Sequence, residues 1–308
     1  MKGPVAASNA AEIHADAGDS ATGFLPWLKA ALRRVTPRWI RSALSPRYRE
    51  FQAKLEETRR REAEESRLEH LPRRQRGVTD LLGKPFVFVD AYSFCYLYKQ
   101  LIQNEIYRFS TAQRRPYIID GGANVGVSVL YFKQQFPEAR VCAFEPDADI
   151  FRVLEENCRT FGLGEVTLHQ AALWKSDGST SFRQEGADAG RLSSGDASAG
   201  DIVVSTKRLL PFLDEPVAFL KLDIEGAETD VLEDCAGALG NVENLFVEYH
   251  SFANRPQTLH RLLSVLHEAG FRVHVHAHGT SPQPLFSRNI RVGMDPADMN
   301  LDIFCYRN

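Results

Sequence analysis

From Tyr117 onward, short apolar runs alternate with stretches in which apolar residues recur every three or four positions. The runs predict strands at 117–120, 140–145, 165–170, 218–223, 244–249, 271–277 and 301–306. The periodic stretches predict helices at 126–136, 147–161, 227–238 and 257–269. Strands and helices alternating over this length predict a doubly wound α/β domain, with a seven-stranded, mostly parallel sheet covered on both faces. No long helix separates 271–277 from 301–306. These two are expected as an antiparallel pair at the sheet edge, ending in an antiparallel terminal strand, with Pro282, Pro284 and Pro296 in the joining loop.

The pattern before Tyr117 is different. Residues 1–22 mix Ala, Ser, Gly, Asp and Glu with no apolar signal core, and are expected to be a disordered tail. Residues 23–80 predict a helical extension. Within it, over 24–50, Lys29, Arg33, Arg34, Arg38, Arg41, Arg47 and Arg49 alternate with Phe24, Leu25, Trp27, Leu28, Leu32, Trp39, Ile40 and Leu44. Thr36-Pro37 and Ser45-Pro46 are helix starts. This amphipathic stretch suits a membrane surface at the inner face, or packing on its own body or on the sister subunit of a homodimer. Residues 51–77 are densely charged and predict an exposed helix, then a linker near Pro72. The domain proper is expected over 81–308, beginning with a cap (81–115). The cap holds a strand or hairpin at Phe86–Asp90 and an aromatic helix through Tyr92, Phe94, Tyr96, Tyr98 and Tyr107, packed over the mouth of the glycine-rich turn at 120–126. Residues 185–201, rich in Gly, Ala, Ser and Asp, predict a flexible loop placed to act as a lid.

Composition narrows the class. The 308 residues are 44% hydrophobic and 25% charged, as expected of a soluble globular chain. A net charge of −3 supplies no global attraction to nucleic acid. No stretch has the apolar length to span a bilayer. The cysteines Cys95, Cys142, Cys158, Cys235 and Cys305 are scattered, with no Cys-x-x-Cys, and read as small buried hydrophobes in a reducing cytoplasm.

Candidate chemistry starts where the strand Tyr117-Ile118-Ile119 runs into Asp120-Gly121-Gly122-Ala123-Asn124-Val125-Gly126. Glycines let a ligand lie close to the backbone, and the following helix offers free N–H groups. One strand later, Phe144-Glu145-Pro146-Asp147 places an acid where doubly wound sheets bind ribose hydroxyls. Dinucleotide folds favour G-x-G-x-x-G; here the pattern is G-G-x-x-x-G behind an aspartate. A carboxylate at the lip of the turn suits a sulfonium or ammonium better than a diphosphate. That favours S-adenosylmethionine over a nicotinamide dinucleotide. The candidate cofactor-binding residues are Asp120, Gly121, Gly122, Ala123, Asn124, Gly126, Glu145 and Pro146, with Ala171 after the third strand.

Leu220-Lys221-Leu222-Asp223-Ile224-Glu225-Gly226-Ala227-Glu228 carries an apolar strand into two carboxylates and a glycine turn. Leu245-Phe246-Val247-Glu248-Tyr249-His250 sets Glu248 and His250 at the end of the neighbouring strand. Asp223, Glu225, Glu248 and His250 are therefore the candidate catalytic residues. Methyl transfer from a sulfonium needs an aligned acceptor and, for a hydroxyl, a base. His250 or Asp223 is the candidate base, Glu225 an alternative, and Glu228 reads as a helix-start residue. Asp223, Glu225 and Glu248 can hold a divalent cation, and His274, His276 and His278 share a strand face that can bind zinc; neither set is assigned as a metal site.

These stretches, in this order and spacing from about residue 85 to the end, resemble the FkbM family of S-adenosylmethionine-dependent class I methyltransferases. The resemblance implies the Rossmann-like class I sheet, a donor loop at Asp120, Gly122 and Asn124, a ribose contact at Glu145, and Asp223 and Glu225 facing the reaction centre. It also implies O-methylation of a sugar, glycan or natural-product hydroxyl, as in polysaccharide biosynthesis. The acceptor is then a small molecule or glycan. Residues 1–80 lie outside the resemblance. The competing readings are a non-catalytic binding scaffold on the same fold and a nicotinamide-dependent oxidoreductase.

Overall fold

The computed structural model describes residues 46–183, 191–192, 201–252, 255–278 and 297–307. The tail at 1–22, the basic stretch up to residue 45, the loop prolines Pro282, Pro284 and Pro296, and most of 185–201 lie outside the described residues. The chain divides into two compact units, Met1–Arg60 and Arg61–Asn308. In the first, the described part is the start of helix α1 (Pro46–Glu69). No helix among the described residues is long and apolar enough to cross a membrane.

In the second unit, β1 (Gly77–Thr79) and β2 (Phe86–Phe88) form an antiparallel hairpin. Helix α2 (Ala91–Leu97) follows and continues as a π-helical turn, Tyr98–Gln103. The remaining elements are β3 (Tyr117–Gly121), α3 (Val127–Gln135), β4 (Arg140–Phe144), α4 (Ala148–Phe161), β5 (Val166–His169), β6 (Ala172–Trp174), β7 (Gly178–Arg183), β8 (Arg191–Leu192), β9 (Asp201–Arg208), β10 (Val217–Leu222), α5 (Glu228–Asp234), β11 (Val242–Phe252), α6 (Leu259–Glu268), β12 (Arg272–His278) and β13 (Ala297–Tyr306).

The main sheet has seven strands in the order β12-β13-β11-β10-β3-β4-β5. β3, β4, β5, β10 and β11 run parallel to their neighbours in that set. β13 is antiparallel to both β11 and β12. The expected antiparallel pair is present, with the terminal strand inserted inside the edge. Burial explains the order. β13 buries Leu301, Ile303 and Cys305 on one face and packs Phe304 on the other, whereas β12 exposes Val273 and Val275. Only the strand with two apolar faces suits the interior.

Three expectations need correction. The aromatic helix expected through Tyr107 ends in the π-helical turn at Gln103, and Tyr107 lies in the following turn. The helix expected at 227–238 stops at Asp234 and gives way to a 3-10 turn, Ala236–Asn241. Gly237 and Gly240 lie in that turn, and glycine disfavours helix continuation. The loop expected at 185–201 is strand at Arg191–Leu192 and at Asp201, within a second sheet of order β6-β9-β7-β8. β7 and β9 carry Ser and Thr, which mask a period-2 pattern such as exposed Val203 beside buried Val204.

Alternation along each strand of the main sheet feeds two cores. Ile119, Leu220, Leu222, Val247 and Ile303 face one core. Ile118, Phe219, Phe246 and Phe304 face the other, together with Phe94, Tyr98 and Tyr107 of the cap. On this second face, each strand turns from apolar to ionisable at its end in the site: Ile118 to Asp120, Phe219 to Lys221 and Asp223, Phe246 to Glu248 and His250. β13, running the other way, presents Asn300 and Asp302 in register with His250 and Glu248.

Candidate functional site

The turn after β3 is shaped by backbone conformations that favour glycine. Gly122 has φ +77°, and a Cβ there would lie 1.9 Å from the Asp223 carbonyl oxygen, so the turn lies against the end of β10 without room for a side chain. Gly126, at φ +95°, caps α3. The N–H groups of Gly122 and Ala123 donate to the Phe144 carbonyl at 3.1 and 2.9 Å, holding the turn to the end of β4.

Glu145, buried at the end of β4, accepts the Asn124 N–H at 3.0 Å on Oε2 and the Asp147 N–H at 2.9 Å on Oε1. A carboxylate has about four acceptor positions, so capacity remains for a diol. Burial pushes its carboxyl up to about 8, against those two backbone donors and the nearby Lys221 charge. Asp147 caps α4 by accepting from the N–H groups of Asp149 and Ile150. Ala171 is buried beside the same strand end and donates its N–H to His169 at 2.9 Å.

Asp120 is fully buried beneath the turn. Its Oδ2 accepts the Ser128 hydroxyl at 2.5 Å, and its Oδ1 stands 3.3 Å from Lys221 Nζ without a hydrogen bond among the described residues. Lys221 also reaches Asp223 Oδ2 at 3.3 Å and donates to the carbonyls of Gly121 and Gly122 at 3.1 and 2.7 Å. Burial works against its charge, but Asp223, Asp120 and Glu248 outweigh it and leave the ammonium above its ordinary value. Much of the Asp120 charge is thus answered by Lys221. This lysine is a site residue that the strand pattern passes over. Its signal is a cation inside the apolar run Val217–Leu222, on the same alternation face as Asp223.

The structure brings the candidate catalytic residues together. Buried His250 places Nδ1 at 3.1 Å from Glu228 Oε1, and Nε2 at 3.5 Å from Glu225 Oε2 and 3.6 Å from Glu248 Oε1. Glu228 Oε1 also accepts the N–H groups of Gly226 and Ile224, at 2.9 and 3.3 Å. It therefore clasps the turn that presents Glu225, a non-glycine residue at φ +57°. Burial lowers the His250 pKa, but Glu225, Glu228 and Glu248 overcome it and raise it well above the ordinary value. These acids therefore favour the protonated form of the imidazole. The phenol of Tyr96 in α2 is pushed up by burial first, then by the charges of Glu248, Asp302 and Asp223. On β12, exposed His276 stands 3.8 Å from Asp302, and His274 packs against Phe304. The side chain of His278 lies outside the described residues.

The family model for the methyltransferase FkbM domain matches residues 120–273, from the glycine-rich turn to β12. The chain belongs to the FkbM methyltransferase family. Among similar curated proteins, Methyltransferase 1 of Beauveria bassiana is 28% identical over 162 residues, covering 44% of this chain and 65% of that protein. Methyltransferase sdnD of Sordaria araneosa is 36% identical over 62 residues, covering 20% of this chain and 24% of that protein. The chain thus spans less than two thirds of the length of either relative. Among solved structures, the methyltransferase FkbM of Methylobacillus flagellatus aligns at 16% identity and TM-score 0.45, over 68% of this chain and 48% of that one. The family domain contains Asp120, Glu145, Lys221, Asp223, Glu225, Glu228, Glu248 and His250, and ends short of β13, which carries Asn300 and Asp302.

Proposed function

We propose that this FkbM-family chain transfers a methyl group from S-adenosylmethionine to a hydroxyl of a sugar, glycan or related natural product. The observation that carries this reading is the carboxylate-lined end of the sheet beside the glycine-rich turn. Glu145, tied to that turn, would accept hydrogen bonds from the ribose diol, and Gly122 and Asn124 would line the donor. Asp223, Glu225 and Glu248 stand where an acceptor would meet the methyl group.

When bound, the donor supplies an activated methyl on a positively charged sulfur. The acceptor oxygen forms a bond to the methyl carbon while the carbon–sulfur bond breaks, its electron pair staying on sulfur. Sulfur becomes a neutral thioether, and the hydroxyl proton must leave. Glu225, Glu228 and Glu248 favour a proton or a cation on His250, so the proton acceptor falls to a carboxylate, Asp223 or Glu248. His250 and Lys221 hold those carboxylates in place.

The test is incubation with methyl-labelled S-adenosylmethionine and a panel of hydroxylated sugars and glycans. Label in a product whose methyl group survives mild alkali supports an ether formed at a hydroxyl. An alkali-labile methyl ester, or label transferred equally when Asp223→Asn and Glu248→Gln are combined, overturns this reading.

A further inference from the structure

We propose that Asp223, Glu225, Glu248 and His250 bind one divalent cation of the magnesium or manganese class, which holds a vicinal pair of acceptor oxygens beside the methyl donor. The inference deepens the function proposed above and rests on it. One ligand atom from each of Asp223, Glu225 and His250 lies within 4.8 Å of the others. Glu248 Oε1 joins them at 3.6 Å from His250 Nε2.

The setting of His250 points the same way. Its Nδ1 is engaged by Glu228 at 3.1 Å, and Glu228 is anchored by the N–H groups of Gly226 and Ile224. The ring is thereby turned so that Nε2 faces Glu225 and Glu248. An imidazole fixed through one nitrogen by an anchored carboxylate, with the other aimed at oxygen ligands, is how proteins orient a metal-binding histidine. Asn300 adds a separate observation. It pairs in register with His250, so the two side chains share a face, and it is 5% exposed. Its Oδ1 has no hydrogen-bond partner among the described residues. A buried amide oxygen left unpaired costs free energy unless a ligand or a ligand-bound water meets it.

Charge balance is the third strand. Asp120, Asp223, Glu225, Glu228, Glu248 and Asp302 gather at this end of the sheet beside Lys221, and a cation at Nε2 takes the place of the proton that these acids otherwise favour on His250. The donor brings one net positive charge, its sulfonium and ammonium being offset in part by its own carboxylate. A divalent cation among these acids adds positive charge beyond what the donor brings. Oxygen-rich donors with a single imidazole favour magnesium or manganese over the thiophilic metals. A cation of this class also makes a bound hydroxyl more acidic. That answers the weakness of a carboxylate as base toward an alcohol. Because such cations bind oxygen through several positions, the substrate class is an acceptor with two adjacent oxygens, such as a sugar diol.

The experiment is a manganese(II) titration of the full chain followed by electron paramagnetic resonance, with calorimetric binding of S-adenosylhomocysteine measured on the same preparation. One bound ion per chain is expected. Asp223→Asn should abolish it, Glu228→Gln should weaken it by about ten- to a hundredfold as the loss of an orienting carboxylate, and His276→Ala, on exposed β12, should leave it unchanged. A folded chain that binds S-adenosylhomocysteine but no manganese overturns the cation and leaves the methyltransferase reading standing. Binding that survives Asp223→Asn, or that disappears with His276→Ala, places the ion elsewhere and overturns the site.

Discussion

Lys221 Nζ lies 3.3 Å from Asp120 Oδ1, joining two side chains buried beneath the glycine-rich turn. The pair joins β10 to β3, and through the carbonyls of Gly121 and Gly122 it sets the floor of the turn. Removing one charge strands the other in the interior. Lys221→Met should therefore destabilise the fold by about 3–5 kcal/mol. Adding Asp120→Asn to that variant should recover part of the loss. Urea unfolding of the single and double variants checks both; equal stability of Lys221→Met and wild type would contradict the role given to this pair.

The cluster around His250 makes stability depend on pH. Its folded pKa lies well above the ordinary 6.5. Above pH 6.5 the unfolded chain has released a proton that the folded chain keeps. The contribution is therefore fully present below that value and is lost as pH rises through the folded pKa. Glu145, raised from 4.5 to about 8, acts in the same direction at lower pH: its contribution is present below 4.5 and is lost as pH rises through 8. The melting temperature should fall from pH 6 to pH 9, and His250→Gln should flatten the alkaline part of the fall. A profile that rises over this range would contradict the assignment.

Glu228 ties the cluster to the turn of Glu225, because one oxygen serves His250 and two backbone N–H groups. Glu228→Ala leaves a buried imidazolium short of a partner and two donors unsatisfied. A loss of about 3 kcal/mol is expected, with the His250 pKa falling. Histidine proton chemical shifts followed against pH report the second effect, chemical denaturation the first.

The cap is held by Asp90, whose carboxylate caps α2 and accepts from Arg73 Nε, the Arg74 N–H and both the N–H and hydroxyl of Ser93. Burial alone would raise its carboxyl, but these donors, led by the Arg74 and Ser93 N–H groups, hold it below the ordinary range. Its contribution is present above pH 3.8 and is lost as pH falls through the folded value. Asp90→Ala should cost about 2 kcal/mol and should speed limited proteolysis within 91–107. Unchanged cleavage there would separate Asp90 from cap docking.

The sequence pattern marks every strand of the main sheet, because parallel strands buried on both faces leave long apolar runs at Ile118, Val141, Leu220 and Leu245. Asp223, Glu225, Glu248 and His250 are legible for a related reason: each is an abrupt ionisable residue at the end of such a run. Lys221 is not, since a cation one residue short of the strand end looks like a flaw in the run until its partner Asp120, a hundred residues earlier, is seen beside it. The upward shift of the His250 pKa is equally hidden. It is set by Glu225 and Glu228, which reach the ring only because Gly226 and Glu225 turn the chain back through positive φ. The small second sheet was obscured by its serines and threonines, where polar side chains on both faces hide the strand period.

The central claim is that the turn from Asp120 to Gly126, with Glu145, binds S-adenosylmethionine. Calorimetric titration of the folded chain with S-adenosylmethionine, wild type beside Glu145→Ala, tests it most directly. The account predicts one molecule bound per chain and an affinity about tenfold or more weaker in Glu145→Ala, the loss of hydrogen bonds to a buried acceptor. No binding by the folded wild-type chain, or equal affinity in the two proteins, would contradict it.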